Sequence, residues 1–296
     1  MYKNDASIVI STRNRANNLE RLLNSLYEMN IIDNILFEVI VVDNGSSDNT
    51  QEKIQDFNKR LKIINIIENI PGKSRSLNKA IEISSGRIIM ITDDDCVVSK
   101  EWLLNAINIF KNNDFMLCGG RIELYDKSDL PITILTSKLK KRLEDKHEIF
   151  SFVFGANLAF GRVVYNKIGG FDHRLGPGVP TKSAEDIDFV YRALKEGIQV
   201  IYEPDMLVKH GHGRRTEVDR FQQISNYSIG DGAISVKYIL KGDIFIALDR
   251  FLKYIDILKN IKNGKIYIKI AILRLRFIIG IFQFIKITIM GEPGVM

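Results

Sequence analysis

Short apolar runs alternate with amphipathic stretches over roughly the first ninety residues, and this alternation restricts the fold more than any other feature. Ser7-Ile-Val-Ile-Ser11 reads as a strand, followed over 17–29 by a helix with Leu19, Leu22, Leu23 and Leu26 on one face. Glu38-Val-Ile-Val-Val42 is a second strand. The turn-rich Asn44-Gly-Ser-Ser-Asp48 then leads into a helix over 49–59. A third strand over 62–68, a helix over 72–85 and a fourth strand over 87–92 complete the series. Units of this length imply an α/β fold, a mostly parallel sheet with helices on both faces. Ligands of such sheets bind beyond the carboxyl ends of the strands.

The fourth strand ends in three carboxylates, Asp93, Asp94 and Asp95, and the second ends at Asp43, so both place acids on that edge. Three adjacent like charges repel one another unless something positive sits among them. A hard divalent cation suits, because it takes oxygen ligands and bridges carboxylates to a substrate's phosphates. Read alone, the triplet could equally cap the helix that begins near Lys100. Cys96 and Cys118 are too few for a disulfide framework or a cysteine-rich metal site, and they fit a reducing, cytoplasmic location. The opening residues hold no long apolar run, so no secretory signal is expected. The net charge of +6 is carried by seven Lys/Arg from Lys259 onward, set against Glu292 alone. The preceding part is nearly neutral, and nucleic acid is not an expected partner.

Further along, 150–161 is apolar with small residues inside, the pattern of a buried strand whose backbone approaches a ligand. Leu175-Gly-Pro-Gly-Val-Pro180 is an irregular loop, expected to be a mobile lid. Residues 184–196 form a helix opened by Glu185 and Asp186, and Gln199-Val-Ile-Tyr202 forms a short strand, followed by His210 and His212. From about Phe221 the pattern is helical, which divides the chain into 1–218 and a C-terminal region, 219–296. There, 268–289 is strongly apolar but carries Lys269, Arg274, Arg276 and Lys286. Its uncharged stretch, 277–285, falls short of the roughly 20 residues a bilayer span needs. A basic amphipathic surface fits better, attached to an anionic membrane face or packed on the domain or a second subunit.

Taken in order, several segments resemble family 2 glycosyltransferases of GT-A fold: Ser7-Ile-Val-Ile-Ser-Thr-Arg13, Val41-Val-Asp-Asn-Gly-Ser-Ser-Asp48, the 93–95 triplet, Gly155-Ala-Asn-Leu-Ala-Phe160, Gly169-Gly-Phe-Asp172 and Ala184-Glu-Asp-Ile-Asp-Phe189. Arg192, Tyr202-Glu-Pro204 and His210 complete the set, over residues 6 to about 215. The resemblance implies a metal-dependent inverting transferase that moves a sugar from a nucleotide-diphosphate donor, UDP-linked, to a glycan or lipid-linked acceptor in surface glycan synthesis. It implies Asp95 as ligand of Mn2+ or Mg2+, with His210 favoured over His212 to complete the shell; imidazole suits Mn2+ better than Mg2+. Asp93 would contact the ribose with Asp94 beside it, Asp43 would accept from the base, and Thr12 and Arg13 would wall that pocket. Lys73 and Arg75 either contact phosphate or are solvated loop cations. Asp186 would be the general base with Glu185 as runner-up, while Asp188 lies on another side of the helix; a carboxylate at a helix N-terminus is favoured electrostatically in any protein. The second strand ends in Asp43-Asn44 where the family often has two acids, which leaves the base contact intact.

Two rival functions meet specific obstacles. A sugar nucleotidyltransferase needs a glycine-rich phosphate loop after the first strand, where this chain has Ser11-Thr-Arg-Asn-Arg15. A glycan-binding protein with a decayed site would have lost Asp95 or the Glu185-Asp186 pair, and all three are present.

Overall fold

The computed structural model describes residues 2–31, 34–259 and 264–290. The first units run β1 (Asn4–Thr12), α1 (Ala16–Tyr27), β2 (Phe37–Asp43), α2 (Thr50–Leu61), β3 (Ile63–Ile67), α3 (Lys73–Ile83) and β4 (Gly86–Thr92). After the triplet come β5 (Cys96–Val98), α4 (Trp102–Ile109), β6 (Met116–Leu124), β7 (Lys141–Arg142), α5 (Ile149–Phe152), β8 (Asn157–Gly161) and α6 (Arg162–Ile168). The chain continues through α7 (Glu185–Lys195), β9 (Gln199–His210), α8 (Glu217–Ile239), α9 (Phe245–Lys259) and α10 (Gly264–Met290).

One sheet runs in the order β3-β2-β1-β4-β8-β6-β9-β5, with β7 beside β9. The parallel arrangement expected from the βα repeats holds across β3, β2, β1 and β4. Beyond β4 the sheet is mixed: β8 runs antiparallel to both β4 and β6, while β6 and β9 are parallel. Alternation within each strand feeds both faces. Ile8 and Ile10 of β1 pack with Leu19, Phe57 and Trp102 on one side, and Val9 packs with Leu77, Ile81 and Phe189 on the other.

Two elements differ from the sequence expectation. The 150–161 segment is not one strand: α5 ends at Phe152 and β8 begins at Asn157. The strand expected to stop at Tyr202 continues to His210, because the β6–β9 register shifts after Gly120, from Gly120–Glu203 to Arg121–Leu207. That irregularity absorbs Pro204, which could not donate to a regular ladder. The extension sets His210 directly across from Cys96 on β5.

The boundary expected at 218/219 falls in the first turn of α8, whose N-terminus carries a capping box of Thr216 and Asp219. Ile234 and Tyr238 of α8 and Ile246 of α9 lie in the same buried cluster as Phe189 and Val190 of α7. α10 lies against α8 with backbones nearly touching: a Cβ added at Gly232 would lie 1.9 Å from the Phe277 carbonyl oxygen, and one at Gly280 1.9 Å from that of Ile229. No helix among the described residues is long and apolar enough to cross a membrane.

Candidate active site

A cavity of about 650 Å³ opens at the carboxyl ends of β1 and β4, a volume in the range of small-molecule sites. It gathers Thr12, Arg13, Lys73, Asp93, Asp94, Asp95, Glu185, Asp186 and His210 in one lining. Two of the residues singled out by sequence, Asp43 and Arg75, lie outside that lining. The Asp43 oxygens accept from the Ser46 N–H at 2.8 Å and from Gln51 Nε2 at 2.5 Å, so its carboxylate organises the Asn44–Asp48 turn. The neighbouring Asn44 lines the cavity in its place. The charge of Arg75 acts on Glu68, helping to hold that carboxyl low after the bonds from the Ile70 N–H and Lys79, all against the opposing effect of burial.

The triplet is not left to repel itself. Arg15 Nη1 donates to Asp94 Oδ1 at 2.9 Å and to Asp95 Oδ2 at 2.8 Å, Thr12 Oγ1 donates to Asp94 Oδ2 at 2.8 Å, and Lys73 pairs with Asp93. Two internal cations therefore stand among the acids for which the sequence suggested a metal ion. Burial, only partly offset by Arg15, pushes the Asp94 carboxyl up to about 6. Burial also opposes ionisation of Asp95, but His210 and Arg15 outweigh it and hold that carboxyl below the usual range. Lys73 keeps its charge: burial works against it, and Asp93, Glu185 and Asp186 together prevail and raise it.

Asp95 and His210 fit a metal ion. His210 Nε2 faces Asp95 Oδ1 at 3.1 Å, both side chains are buried, and Asp95 Oδ1 and His210 Nδ1 are buried polar atoms without a hydrogen-bond partner. A buried carboxylate oxygen left without an aligned hydrogen bond, facing an imidazole nitrogen, calls for a further ligand. Cys96 Sγ is within the same small cluster, but burial pushes its thiol well up and it is part of the hydrophobic core, with its Sγ donating to the Ala156 carbonyl at 3.8 Å. His212 is committed elsewhere: its Nε2 lies 3.0 Å from the Leu130 carbonyl and its Nδ1 accepts from the Arg214 N–H.

In the same lining, α7 presents the carboxylate pair. Ala184, the residue before the helix, sits at φ 79, a left-handed conformation that a β-carbon disfavours and that surrounding contacts must impose. Asp186 is half-buried; its Oδ2 accepts from the Gly155 N–H at 2.9 Å and its Oδ1 from the Ile187 N–H at 2.8 Å. Glu185 is buried, with Lys73 Nζ 3.9 Å away. Burial and then the charge of Asp186 push its carboxyl up to about 8. A carboxyl that holds its proton in the folded protein while the unfolded chain releases it near 4.5 makes stability fall as pH rises between those values. Glu185→Gln removes that term, so the thermal midpoint of the variant should fall less than the wild type's between pH 6 and pH 9; equal slopes would refute the protonated Glu185.

The loop expected to be a mobile lid is tied down. Ser74 Oγ donates to the Leu175 carbonyl at 2.7 Å and the Lys73 N–H to that of Pro177 at 2.9 Å, while a Cβ on Gly178 would come within 2.8 Å of the Gly72 nitrogen. Several motif residues hold the frame instead of facing the cavity. Asn157 accepts from Trp102 Nε1 and donates to the Arg121 and Met206 carbonyls. Arg192 binds Asp188 and the carbonyls of Ile168, Gly169 and Gly170. Sequence inspection missed the far wall, where Arg214, Gln223, Tyr227 and Arg250 reach in from the segment before α8 and from α8 and α9. It also missed the role of Arg15.

A cavity at the carboxyl edge of the sheet, lined by an acidic strand end and a helix-borne carboxylate pair, fits a transferase of GT-A fold. The sequence profile of glycosyl transferase family 2 matches residues 7–169, more than half of the chain, and the chain belongs to that family. It is a glycosyltransferase. It is 25% identical over 233 residues to the glycosyltransferase AglE of Haloferax volcanii, covering 78% of this chain and 73% of that one. It spans only about half the length of several other curated relatives. Among solved structures, the mannosyltransferase PcManGT from Pyrobaculum calidifontis in complex with GDP-Man and Mn2+ superposes with a TM-score of 0.62 at 18% identity, over 99% of this chain and 89% of that one. TarS of Staphylococcus aureus in complex with UDP-GlcNAc gives 0.57 at 19% identity, over 77% of this chain and 66% of that one. These likenesses establish the fold.

Proposed function

We propose that the protein is a metal-dependent, inverting glycosyltransferase that moves a sugar from a UDP-linked donor to a hydroxyl of a glycan or lipid-linked acceptor in surface glycan or glycoconjugate synthesis. One observation carries this: the Asp93–Asp95 triplet and Asp186 line a single cavity, with Lys73 paired to Asp93 and 3.9 Å from Glu185. Asp95 and His210 would hold Mn2+ or Mg2+, which when bound supplies a Lewis acid at the leaving diphosphate. Asp186 takes the acceptor's proton. The acceptor oxygen bonds to the anomeric carbon as the carbon–oxygen bond to the diphosphate breaks, and the bonding pair leaves on the diphosphate. A single displacement of this kind inverts the anomeric centre. Asp186 suits the role better than Glu185, because it is half-buried at the cavity while Glu185 is buried and holds a proton. The relatives with bound ligands carry both GDP-Man and UDP-GlcNAc, so both nucleotides enter the test. Calorimetry should show Mn2+-dependent binding of UDP, weaker binding of GDP, and loss of the Mn2+ dependence in Asp95→Asn. Metal-independent binding, or binding unchanged in the variant, would overturn the metal assignment.

The C-terminal helices carry the second half of the proposal, attachment to an anionic membrane face on the cytoplasmic side. α10 carries apolar residues on two faces for two separate reasons. Ile270, Phe284 and Ile287 are buried, whereas Ile268, Ile272, Leu275, Ile278, Phe282 and Ile289 are exposed at helical spacing. Lys269, Arg274 and Lys286 are exposed along the helix, and its described residues contain no acid. An apolar stripe with basic neighbours is the pattern of a helix lying in a lipid interface. The double variant Leu275→Glu with Phe282→Glu should lose sedimentation with phosphatidylglycerol vesicles. Retained binding would refute the membrane face, and a wild type that dimerises without binding vesicles would assign the stripe to a second copy.

A further inference from the structure

Arg15 fits neither an ordinary surface cation nor a buried structural ion pair. It precedes α1 and its side chain remains 43% exposed, yet through Nη1 alone it satisfies two carboxylates that are each about 5% exposed. Burying Asp94 and Asp95 unpaired would be costly, so the folded protein needs a cation there. The same Asp95 offers its other oxygen, Oδ1, towards His210, the pair that fits a divalent ion. One carboxylate therefore serves two cations.

Charge decides the outcome when both approach. The triplet with Lys73 and Arg15 sums to one negative charge, three carboxylates against two cations. Adding a divalent ion with Arg15 still in place makes the cluster net positive and sets the guanidinium beside an ion on the same carboxylate, where like charges repel. The exposed side of the Arg15 side chain leaves it a route into the cavity it lines. A guanidinium released there faces the region where a diphosphate must sit, and planar donors bind such oxygens well.

On the basis of the proposed metal and diphosphate site, we propose that Arg15 is the internal competitor of the divalent ion for Asp95 and, once displaced, a ligand of the diphosphate. Bare metal is then resisted and metal with diphosphate is accepted, which makes binding of the two cooperative. Lys73 plays no such part, because its carboxylate, Asp93, is not shared with His210.

The test uses the full chain with Mn2+ titrated alone and with inorganic pyrophosphate, monitored by electron paramagnetic resonance of free Mn2+, so that no nucleotide need be known. Without pyrophosphate, Arg15→Gln should bind Mn2+ about tenfold more tightly than wild type, the effect of removing one charge-assisted competitor. Pyrophosphate should tighten Mn2+ binding in wild type and much less in Arg15→Gln. Arg15→Lys, which keeps a cation, should fall between the two and guards against a folding defect in the glutamine variant; melting curves on both check this. Mn2+ affinity equal to or weaker than wild type in a folded Arg15→Gln, or undiminished pyrophosphate coupling, would overturn the inference. Asp95→Asn separates the two levels: if it binds Mn2+ like wild type, the metal site itself is wrong, whereas silence of the Arg15 variants alone removes only the competitor role.

Discussion

Asp186→Asn is expected to lower kcat by about 10²–10⁴-fold while leaving nucleotide affinity nearly unchanged. The asparagine preserves size and can still accept from the Gly155 N–H, which bonds Asp186 Oδ2 at 2.9 Å, so the local frame should survive. What it cannot do is take the acceptor's proton. Glu185 cannot substitute readily, because burial and the neighbouring charge keep it protonated to about pH 8. Release of nucleotide diphosphate from the donor selected by the binding screen measures kcat, and calorimetry measures affinity on the same preparation. A fall of less than tenfold would remove Asp186 from the base role. A matching loss in nucleotide affinity would show that the carboxylate binds donor instead.

The sequence exposed the edge of the sheet where the cavity opens, because strand-end acids and βα alternation are local signals. Asp93–Asp95 and Glu185-Asp186 could be placed at one cavity from those signals and the family resemblance. Roles that depend on three-dimensional partners were not legible in the same way. Asp43 stands at a strand end like Asp95, yet its oxygens turn into the Ser46–Gln51 segment, which no spacing rule reveals. The family pattern favoured His210 over His212, but the physical reason was not in the spacing: the continuation of β9 through Pro204 sets His210 against Cys96, while His212 turns to Leu130. Arg15 drew notice only as part of a loop without glycine. The exposed stripe of α10 was legible as basic and apolar, but not that its opposite face would bury against α8 through Gly232 and Gly280. Close helix approach at small residues leaves a weak trace in a chain this rich in isoleucine.

Lys237→Met is expected to cost about 3 kcal/mol, the low end for breaking a buried ion pair by removing one partner. Lys237 is 4% exposed and lies 2.5 Å from Asp188 and 2.7 Å from Asp172. Asp188 is fully buried, with Tyr238 Oη donating to it at 3.0 Å and Arg192 Nε at 2.9 Å. Asp172 keeps Arg174, at 2.7 Å. The remaining arginines limit the damage, but two buried acids would share too few donors. For a chain of this size the midpoint should fall by roughly 5 °C. The loss should be non-additive with Asp188→Asn, because the second change removes one of the stranded charges. This ammonium links three regions that looked separate in sequence: the Gly169–Asp172 turn, the helix that carries Asp186, and the C-terminal α8. If it acts as that link, Lys237→Met will also lower kcat at temperatures where the protein is still folded, because α7 is held less firmly. A midpoint shift below about 2 °C would mean that α8 leans on α7 without holding it, and the C-terminal region could then be treated as a separate unit.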